Sequence, residues 1–546
     1  MRPGAGGGLL VAAAMTLHDL TSCAVCTQPA TQQCDACQLV AYCPGEHEEQ
    51  HRAKCPAYKV LTNVAVGRFA VAARDLAAGE SIFSELPVAV GPKADSSPLC
   101  LGCHGLVDGS ASCSRCGWPV CGPGCEDSPV HAAAECEVFR AAGVAFQPPQ
   151  DWTETCCQME CVTPLRLLLS REKCPGRWTR EVDAMQSNDE RRRDLDAWRA
   201  EQVNVVGFLR DRCGLADRFD EQSIHRACGL LEVNAFEIRM VAGTTIRGLY
   251  PQTAILSHNC VANTSHTITP QSDYRLTLRA TVAVPRDAEL FSSYTYSLDP
   301  TMVRRQHLSS GKFFDCRCER CRDPTELGTH LGSLKCNKCD PGLILASDPL
   351  DPGAAWRCTH CEFSTSGAAA ARVMQVVREE AAALDWLPPG EEAVEAREKL
   401  WRKYRSVLHP RHSVVTGARL ALSQLYGRAE GYHLDELPDI LLERKADICR
   451  DLLAVADVVE PGLTRLRGMT LYELHAPVMV FAKHRHDYGE ISAAEFRAKL
   501  EEAAAILQEA VRILLLEDPL TPEGAVGRVA EQSLQQLRAS IASLAA

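Results

Sequence analysis

The pattern of apolar and polar positions divides the chain into β-rich and helical stretches. Apolar and polar residues alternate over Gly67–Pro92 and again over Tyr274–Tyr296, as expected of half-buried strands. Between these stretches, leucines and valines recur at helical spacing over about residues 160–230, so a helical insertion is predicted to interrupt one β-rich unit. The pattern over Gly367–Ala546 is mostly helical, with Pro and Gly breaks that suggest paired helices. An α+β multidomain fold follows.

Length and charge narrow the class of protein. A chain of 546 residues indicates about three or four domains. The formal net charge of −12 and the scarcity of lysine and arginine in the cysteine-rich loops make direct DNA binding unlikely. The apolar patch Leu9–Met15 is too short for a membrane span and makes a poor signal peptide. We expect a disordered tail over residues 1–20 and a soluble protein of the cytoplasm and nucleus, without membrane contact.

Most of the 28 cysteines stand in CxxC-type pairs, several with histidines, which is typical of zinc ligands in a reducing compartment. Two octets of such ligands follow one another with a similar rhythm of ligand pairs, which indicates an internal repeat of the ligand scheme. Zinc takes four nitrogen or sulfur ligands, so each octet can form two sites. In the interleaved scheme the first and third pairs of an octet bind one ion, and the second and fourth pairs bind the other. In the first octet the last three ligands recur every four residues, which on a helix places them on one face. The predicted ligands are Cys23, Cys26, Cys43 and His47 for one site; Cys34, Cys37, His51 and Cys55 for the next; and Cys100, Cys103, Cys113, Cys116, Cys121, Cys125, His131 and Cys136 in the second octet.

Two further groups of cysteines complete the predicted metal sites. The pairs Cys336/Cys339 and Cys358/Cys361 have the spacing of a zinc ribbon. The run CRCERC supplies Cys316, Cys318 and Cys321, one thiolate short of a closed structural site. Cys260, in the stretch ILSHNCVANT, is the best candidate for the missing ligand. With Cys260 included, 21 of the 28 cysteines and three histidines form six sets of four ligands, and seven cysteines remain. The seven others are expected to be small buried hydrophobic residues: Cys156, Cys157, Cys161, Cys174, Cys213, Cys228 and Cys449.

Several motifs occur in the order of a known family. GRFAVAARDLAAGE, VNAFEI, GLYPQTAILSHNCVANT and ELFSSYTYSLDPTMVRRQ lead into FFDCRCERC, and the first octet resembles a MYND finger. Over about residues 23–540 the chain resembles the SMYD family of SET and MYND methyltransferases, most like its arthropod SmydA branch. The resemblance implies a β-rich SET core with zinc-finger insertions and a helical, tetratricopeptide-like C-terminal domain. The expected units are a tail (1–20), a MYND finger (23–55), two SET parts (58–98 and 233–300), a second MYND-like zinc module (99–140), a helical insertion (150–232), a post-SET zinc site (301–325), a zinc ribbon (333–364) and the C-terminal domain (367–546).

The resemblance also implies roles for individual residues. Tyr294 matches the tyrosine at the base of the lysine channel, whose hydroxyl orients the substrate amine and the methyl group. Phe236 matches an aromatic wall of that channel, and Phe314 matches the ring that packs on the adenine of S-adenosylmethionine. The family's cysteine at the place of Cys260 shares a zinc ion with the post-SET cluster, in agreement with the ligand count. The matched cofactor-binding positions are Gly67, Arg68, Phe69, Ser257, His258 and Phe314.

Three positions depart from the family pattern. Ser257 replaces an asparagine, Phe69 replaces the second glycine of a Gly-x-Gly loop, and Lys312 stands where a channel tyrosine is expected. The expected function is S-adenosylmethionine-dependent lysine N-methylation of histone or non-histone proteins in transcriptional regulation, with about six zinc ions. The alternative is a catalytically weak or inactive SET-derived zinc scaffold whose MYND finger binds proline-containing peptides of corepressors.

Overall fold

The computed structural model describes residues 23, 26, 28–30, 32–34, 41–43, 45, 47, 49, 55–64, 66–240 and 243–544. The tail predicted for residues 1–20 and the zinc ligands Cys37 and His51 lie outside this part of the chain. Across the described ranges, every helix is too short or too polar to cross a bilayer. The remaining structure confirms an α+β architecture in which cysteine clusters interrupt a β-rich core and a helical region follows it.

The β-rich core is assembled from short strands on both sides of the helical insertion. Strands β3 and β4 form an antiparallel hairpin, β5 joins β11 and β10, and β8 lies between β6 and β7. The predicted alternation holds in β11, where Leu276 and Leu278 are buried in the same core as Ala70 and Ala72 of β4, whereas the last four residues of β4 are all buried. The strands are β1 Gln32–Gln33, β2 Ala41–Tyr42, β3 Tyr58–Asn63, β4 Gly67–Ala72, β5 Ser81–Glu85, β6 Val90–Gly91, β7 Ala235–Arg239, β8 Thr245–Leu249, β9 Ser257–His258, β10 Thr264–Thr269, β11 Arg275–Ala280 and β12 Phe291–Ser292.

Adjacent backbone segments bring distant parts of the sequence to one edge of this core. The N–H of Leu290 donates to the carbonyl oxygen of Ala70 over 2.9 Å, so β4 runs beside the segment that leads into β12. Strand β12 in turn pairs in parallel with β9, with Ser292 opposite His258. The start of β4 is therefore close to β12 and β9, where the predicted cofactor-binding residues lie.

The helical insertion packs on the second octet and forms one core with it. Trp118 and Phe139 from the octet stack with ring centroids 4.0 Å apart, and Phe208 from the insertion meets both rings edge-on. The helices of this part are α1 Pro123–Glu126, α2 Pro129–Ala132, α3 Glu135–Ala142, α4 Val162–Lys173, α5 Pro175–Arg177, α6 Asp189–Arg192, α7 Asp196–Glu201 and α8 Glu221–Asn234, with a 3₁₀ turn at Cys157–Cys161 and π-helices at Trp178–Val182 and Gln202–Arg212.

The C-terminal half begins with a short helical connection to a small sheet and then becomes helical. Strands β13 Leu334–Lys335, β14 Leu343–Ala346, β15 Trp356–Cys358 and β16 Ser364–Thr365 form a four-stranded antiparallel sheet. Successive long helices pack against their neighbours, and the last begins with Thr521 accepting from the Gly524 N–H. The helices are α9 Thr301–Gly311, α10 Glu319–Arg322, α11 Gly367–Ala382, α12 Glu391–Tyr404, α13 Ser413–Leu425, α14 Asp439–Val459, α15 Arg465–Asp487, α16 Ala493–Leu514 and α17 Pro522–Ser543; further 3₁₀ turns span Thr253–Ile255, Pro270–Ser272 and Ala383–Trp386.

The helical region is docked on the β-rich core through the turn between α14 and α15. The N–H of Leu463 donates to the carbonyl oxygen of Thr281 over 2.9 Å. Gly462 precedes it with φ +84°, and a side chain there would overlap the same carbonyl. Two features therefore favour glycine at position 462: the positive φ of its backbone and the close approach of the Thr281 backbone.

Candidate active site and metal centres

The structure brings Cys260 together with Cys316, Cys318 and Cys321. Their four sulfur atoms lie within 4.8 Å of one another, although Cys260 is on the loop after β9, Cys316 and Cys318 precede the short helix α10, and Cys321 lies within it. The Cys260 sulfur is 3.5 Å from that of Cys321 and 3.9 Å from that of Cys316. Four sulfur ligands at this separation have the composition of a structural zinc site. The fourth ligand predicted for the CRCERC cluster is therefore in place.

Two buried arginines beside this cluster test whether it suits a metal. Arg304 and Arg320 are each 0% exposed and share one carboxylate, that of Glu326, at 2.7 and 3.1 Å. The Arg304 Nε also donates to the Cys260 sulfur over 3.2 Å. Burial alone would lower the pKa of Arg304. The Glu326 carboxylate and the sulfurs of Cys260 and Cys321 raise this pKa by more, so the net shift is upward. Because one carboxylate cannot balance two guanidinium ions, the sulfurs are the natural source of the remaining negative charge, as in a zinc tetrathiolate.

Neither arginine was identified as a functional residue from the sequence. Arg304 belongs to the MVRRQ stretch of α9, and Arg320 lies inside the CRCERC run itself. Basic residues at such positions usually lie on solvated helix faces. No spacing rule relates a guanidinium to the sulfur it approaches, so only the packed structure identifies these two donors.

Next to the Cys260 cluster, three predicted site residues form an aromatic group. The rings of His258 and Tyr294 are 5.2 Å apart, and Phe314 lies 5.9 Å from His258 and 6.4 Å from Tyr294. The Tyr294 hydroxyl donates to the carbonyl oxygen of Leu256. Burial raises the pKa of Tyr294 to about 12, so its phenol is neutral at physiological pH. Phe314 keeps 37% of its surface exposed, which leaves part of its ring available to a ligand.

The segment before Phe314 is fixed to the helical insertion by two basic side chains. The Lys312 ammonium donates to the carbonyl oxygens of Val233 and Glu232, at 2.7 and 3.2 Å, at the C-terminal end of α8. A cation is favoured there by the helix dipole. Arg191 donates to the carbonyl oxygen of Phe313, whose φ of +62° is unusual for a bulky residue. Burial lowers the pKa of Lys312, while Glu232 opposes that shift.

The predicted cofactor loop lies at the start of β4. Gly67 has φ +74° and is exposed, so the left-handed backbone favours glycine although nothing would obstruct a side chain. The side chain of Phe69 is buried, with 9% exposure, and it points away from the core face that holds Ala70 and Ala72. The Arg68 guanidinium is half-buried, has no hydrogen-bond acceptor among the described residues, and has its pKa lowered by burial.

Phe236, the predicted channel wall, belongs to a different aromatic group. Its ring meets the rings of His266 and Tyr250 edge-on, at 5.3 and 5.9 Å. Among the described residues, no ring contact joins Phe236 to Tyr294. Arg465 from the helical region donates to the carbonyl oxygen of His266, so the C-terminal domain closes over this side of the core. Burial and Arg465 lower the pKa of His266 to about 3.

The first octet is described only in part. Cys23, Cys26, Cys43 and His47 form one group of four ligands, as the interleaved scheme predicts. Of the second site, the sulfurs of Cys34 and Cys55 lie 4.0 Å apart, and the other two ligands are outside the described residues. Cys55 lies in irregular backbone just before β3, so the arrangement of the last three ligands on one helical face does not extend to Cys55.

The second octet divides into two complete groups in the interleaved order. They are Cys100, Cys103, Cys121 and Cys125, and Cys113, Cys116, His131 and Cys136. In the second group, Nδ1 of His131 donates to the Glu135 carboxylate over 2.8 Å, and Nε2 faces the Cys116 sulfur at 3.6 Å. A carboxylate behind a histidine in this way is typical of zinc ligands, since it fixes the ring tautomer.

A buried arginine connects this second group to the β-rich core. Arg166 donates from Nε and Nη2 to both oxygens of Glu135 over 2.7 Å, and from Nη1 to the Val90 carbonyl oxygen over 2.8 Å. The same Nη1 lies 2.9 Å from Nε2 of His104, whose Nδ1 is 2.7 Å from the Tyr274 hydroxyl. Burial raises and Arg166 lowers the pKa of Glu135, with a net decrease.

The cysteines of the predicted ribbon also come together. Cys336, Cys339, Cys358 and Cys361 form a fifth group, held by the β13–β16 sheet. Of the seven cysteines outside the predicted sites, five are buried as expected. Cys157 and Cys174 are exposed instead, because each lies at an end of a helical segment rather than on its packed face.

Known proteins provide the comparison for this arrangement. The chain is 35% identical over 324 residues to SmydA-8 isoform A of Drosophila melanogaster, covering 57% of this chain and 66% of that protein. For isoform B the identity is 31% over 320 residues, covering 56% and 67%. The N-lysine methyltransferase SMYD2-B of Danio rerio is 23% identical over 276 residues, covering 49% and 60%.

The matches thus span about two thirds of the length of the fly proteins and less of the fish enzyme. No general family profile matches the chain. The order of the SET motifs, the closure of the post-SET cluster by Cys260 and the similarity to isoform B all lead to one assignment. The chain belongs to the SMYD family of SET-domain methyltransferases and is similar to its SmydA branch.

Proposed function

We propose that the chain is an S-adenosylmethionine-dependent protein-lysine N-methyltransferase that acts on histone or non-histone proteins. The observation that carries this proposal is the convergence of Tyr294, His258 and Phe314 beside the Cys260 cluster. These residues come from three separate segments, and structural packing alone would not require an exposed aromatic ring among them. The name of the zebrafish relative, N-lysine methyltransferase, supports the same reaction class.

Tyr294 has the properties of an orienting group rather than of a base. S-adenosylmethionine supplies an electrophilic methyl group that a neutral lysine amine accepts when the two are in line. With a pKa of about 12, the Tyr294 hydroxyl keeps its proton at neutral pH. Its proton is directed to the Leu256 carbonyl, so the lone pairs of the oxygen remain available to an amine N–H. The tyrosine therefore positions the amine, and the amine proton leaves to solvent.

Arg68 is our candidate for the group that binds the carboxylate of the cofactor. It lies at the start of β4, beside the backbone that continues into β12 and β9. Its guanidinium is partly desolvated and has no acceptor among the described side chains, which is costly for a cation unless a ligand provides one. This interaction would compensate for the amide contact that is lost at Ser257. Phe314 provides the exposed ring for the adenine.

Calorimetric titration of the zinc-loaded chain with S-adenosylmethionine, with S-adenosylhomocysteine as competitor, tests this proposal. We expect saturable one-to-one binding that the product displaces. Transfer of a tritiated methyl group to core histones and to a lysine-containing peptide library then identifies the acceptor class. Absence of binding by both compounds would refute the enzyme proposal.

The second candidate function is a zinc scaffold that binds protein partners. The observation that favours it is Lys312, whose ammonium is bound to the end of α8 and cannot replace the expected tyrosine as a channel wall. In that case the first octet would bind proline-containing peptides of corepressors. If the chain is a scaffold of this kind, calorimetric titration should show that it binds a proline-rich peptide and does not bind S-adenosylmethionine.

For either function we propose that the protein acts in the cytoplasm and nucleus, in transcriptional regulation, with zinc in each of its cysteine clusters. The five complete groups of ligands support the metal, and relatives named as histone-lysine methyltransferases support the nuclear part of this proposal. Imaging of the tagged chain tests its location in the cell. A reporter gene to which the chain is tethered tests its effect on transcription. A chain excluded from the nucleus would contradict the transcriptional role.

A further inference from the structure

We propose that His258 is a positioning residue that couples the post-SET zinc site to Tyr294. This inference rests on the proposed function, because it assigns a role in methyl transfer to the metal cluster. It differs from the role implied by family resemblance, in which His258 belongs to the cofactor wall. Here the imidazole is engaged on both sides by the protein itself, with Cys260 on one side and Tyr294 on the other.

The two ring nitrogens have different and complementary partners. The backbone N–H of Tyr294 donates to Nδ1 of His258 over 3.0 Å. An Nδ1 that accepts a hydrogen bond carries no proton, so in the neutral ring the proton is on Nε2. Nε2 lies 3.3 Å from the Cys260 sulfur and therefore donates to it. The contacts of the ring thus fix its tautomer, as second-shell partners commonly do around metal sites.

Tyr294 is held by the same segment at two points. Its backbone is bound to His258 and its hydroxyl to the carbonyl oxygen of Leu256. The N–H of Asn259 adds a bond to the Ser292 carbonyl oxygen over 3.2 Å, next to the β9–β12 pair. Leu256, His258 and Cys260 are alternate residues of one short extended stretch. A displacement of Cys260 would therefore be transmitted to both ends of the tyrosine.

The Cys260 sulfur receives a second donor from the opposite direction. Arg304 Nε lies 3.2 Å from it, and the same guanidinium is fixed by Glu326 and Thr301. Two N–H donors on one sulfur suit a metal-bound thiolate, which keeps lone pairs directed away from the ion. Zinc binding would thus hold Cys260 at the point from which His258 orients Tyr294. Loss of the ion would relax the position of the proposed catalytic group.

Two substitutions at His258 separate its two contacts. The amide oxygen of asparagine takes the place of Nδ1, so His258→Asn keeps the bond from the Tyr294 N–H and loses the contact to sulfur. The longer His258→Gln places its amide near Nε2, so it keeps the sulfur contact and loses the bond to Tyr294. We expect His258→Gln to lower kcat by about 10–100-fold. KM for S-adenosylmethionine should change much less, and zinc content should stay at the wild-type value.

His258→Asn should shift the balance the other way. In saturating zinc we expect kcat to fall less than in His258→Gln, and after dialysis against EDTA we expect the chain to lose one zinc ion more than wild type, measured by plasma mass spectrometry. His307, an exposed histidine on α9, provides the matched control. His307→Asn and His307→Gln should alter neither kcat nor zinc retention. Equal effects of Asn and Gln at position 258 would overturn the coupling.

A spectroscopic measurement tests the coupling independently of activity. Long-range ¹H–¹⁵N correlation of histidine side chains, with the His258 signal assigned by its loss in His258→Asn, should show the Nε2–H tautomer in the zinc-loaded chain. An Nδ1–H tautomer would refute the arrangement. If the wild-type chain binds no S-adenosylmethionine, the proposed function fails, while the tautomer and the zinc retention of the two variants still decide whether His258 connects the two sites.

Discussion

Tyr294 is the single residue that most directly tests the proposed chemistry. Removal of its hydroxyl in Tyr294→Phe keeps the ring contacts with His258 and Phe314 and the backbone bond to His258. We expect methyl transfer to fall by about 100-fold, because an orienting hydrogen bond at the reacting amine is lost. Affinity for S-adenosylmethionine should stay within a factor of about three, the scatter expected of neutral substitutions. Full activity in a tritium-transfer assay would refute the role of Tyr294.

Arg68 allows a second test at the scale of the residue, with a matched control just after the same hairpin. In Arg68→Met the half-buried cation proposed to bind the cofactor carboxylate is removed. The Kd for S-adenosylmethionine should rise by about 10-fold or more, the worth of a hydrogen bond to a charged group. Arg74→Met makes the same change in charge, but Arg74 is already paired with Glu80. Calorimetry should show wild-type affinity for this control, and an equal loss in both variants would contradict the assignment of Arg68.

Residue types and spacings were sufficient to predict the ligands but not their surroundings. Cys260 could be identified because three cysteines need a fourth and few others remained. Arg304 and Arg320 could not, since their contact with sulfur depends on how α9 packs and not on any interval in the sequence. The same limit applies to Lys312, whose replacement of a tyrosine was visible in the sequence while its bond to the end of α8 was not.

At the scale of the element, Arg166 is the main connection between the second octet and the β-rich core. Arg166→Met would leave the buried carboxylate of Glu135 without its cation, and we expect a loss of about 3–5 kcal/mol in the free energy of unfolding. Arg218→Met removes an arginine whose pair with Glu172 is about 40% exposed on both sides. That control should cost no more than about 1 kcal/mol. Urea denaturation of both variants measures the difference, and equal losses would contradict the role of Arg166.

The docking of the helical region can be tested at Gly462. In Gly462→Ala the new Cβ overlaps the Thr281 carbonyl oxygen, in addition to the cost of φ +84°. Gly489→Ala has a similar φ of +71° but meets no atom within 4 Å, so it measures the backbone cost alone. We expect Gly462→Ala to be less stable than Gly489→Ala by about 1–3 kcal/mol, the usual range for overpacking. Thermal unfolding measures this difference, and equal melting temperatures would show that the turn is not a tight contact.

Regular elements were predicted better than irregular ones. The alternation over β11 and the helical periodicity over α16 each reflect a single buried face, which the sequence encodes locally. The long π-helix at Gln202–Arg212 has no such local signal, because its pattern reads as an ordinary helix. The irregular backbone at Cys55 and the exposure of Cys157 and Cys174 likewise depend on where helices end, which periodicity specifies poorly.

At the scale of the whole molecule, metal ions are expected to hold the architecture together. The five described groups of four ligands lie in the first octet, the second octet, the post-SET cluster and the ribbon, so they are distributed along the chain from Cys23 to Cys361. We expect plasma mass spectrometry to find at least five zinc ions per chain, as each group has the ligands of a closed site. Removal of the ions with a chelator should cause cooperative loss of stability, because metal binding contributes folding free energy. A metal-free chain of unchanged melting temperature would contradict this view.

We propose that the core binds a methyl donor at the site formed by Tyr294, His258 and Phe314. Isothermal titration of the zinc-loaded, full-length chain with S-adenosylmethionine tests it most directly. We expect one saturable site per chain, with affinity reduced in Arg68→Met and preserved in Tyr294→Phe. No heat with S-adenosylmethionine, together with no binding of S-adenosylhomocysteine by a chain whose zinc content is complete, would contradict it.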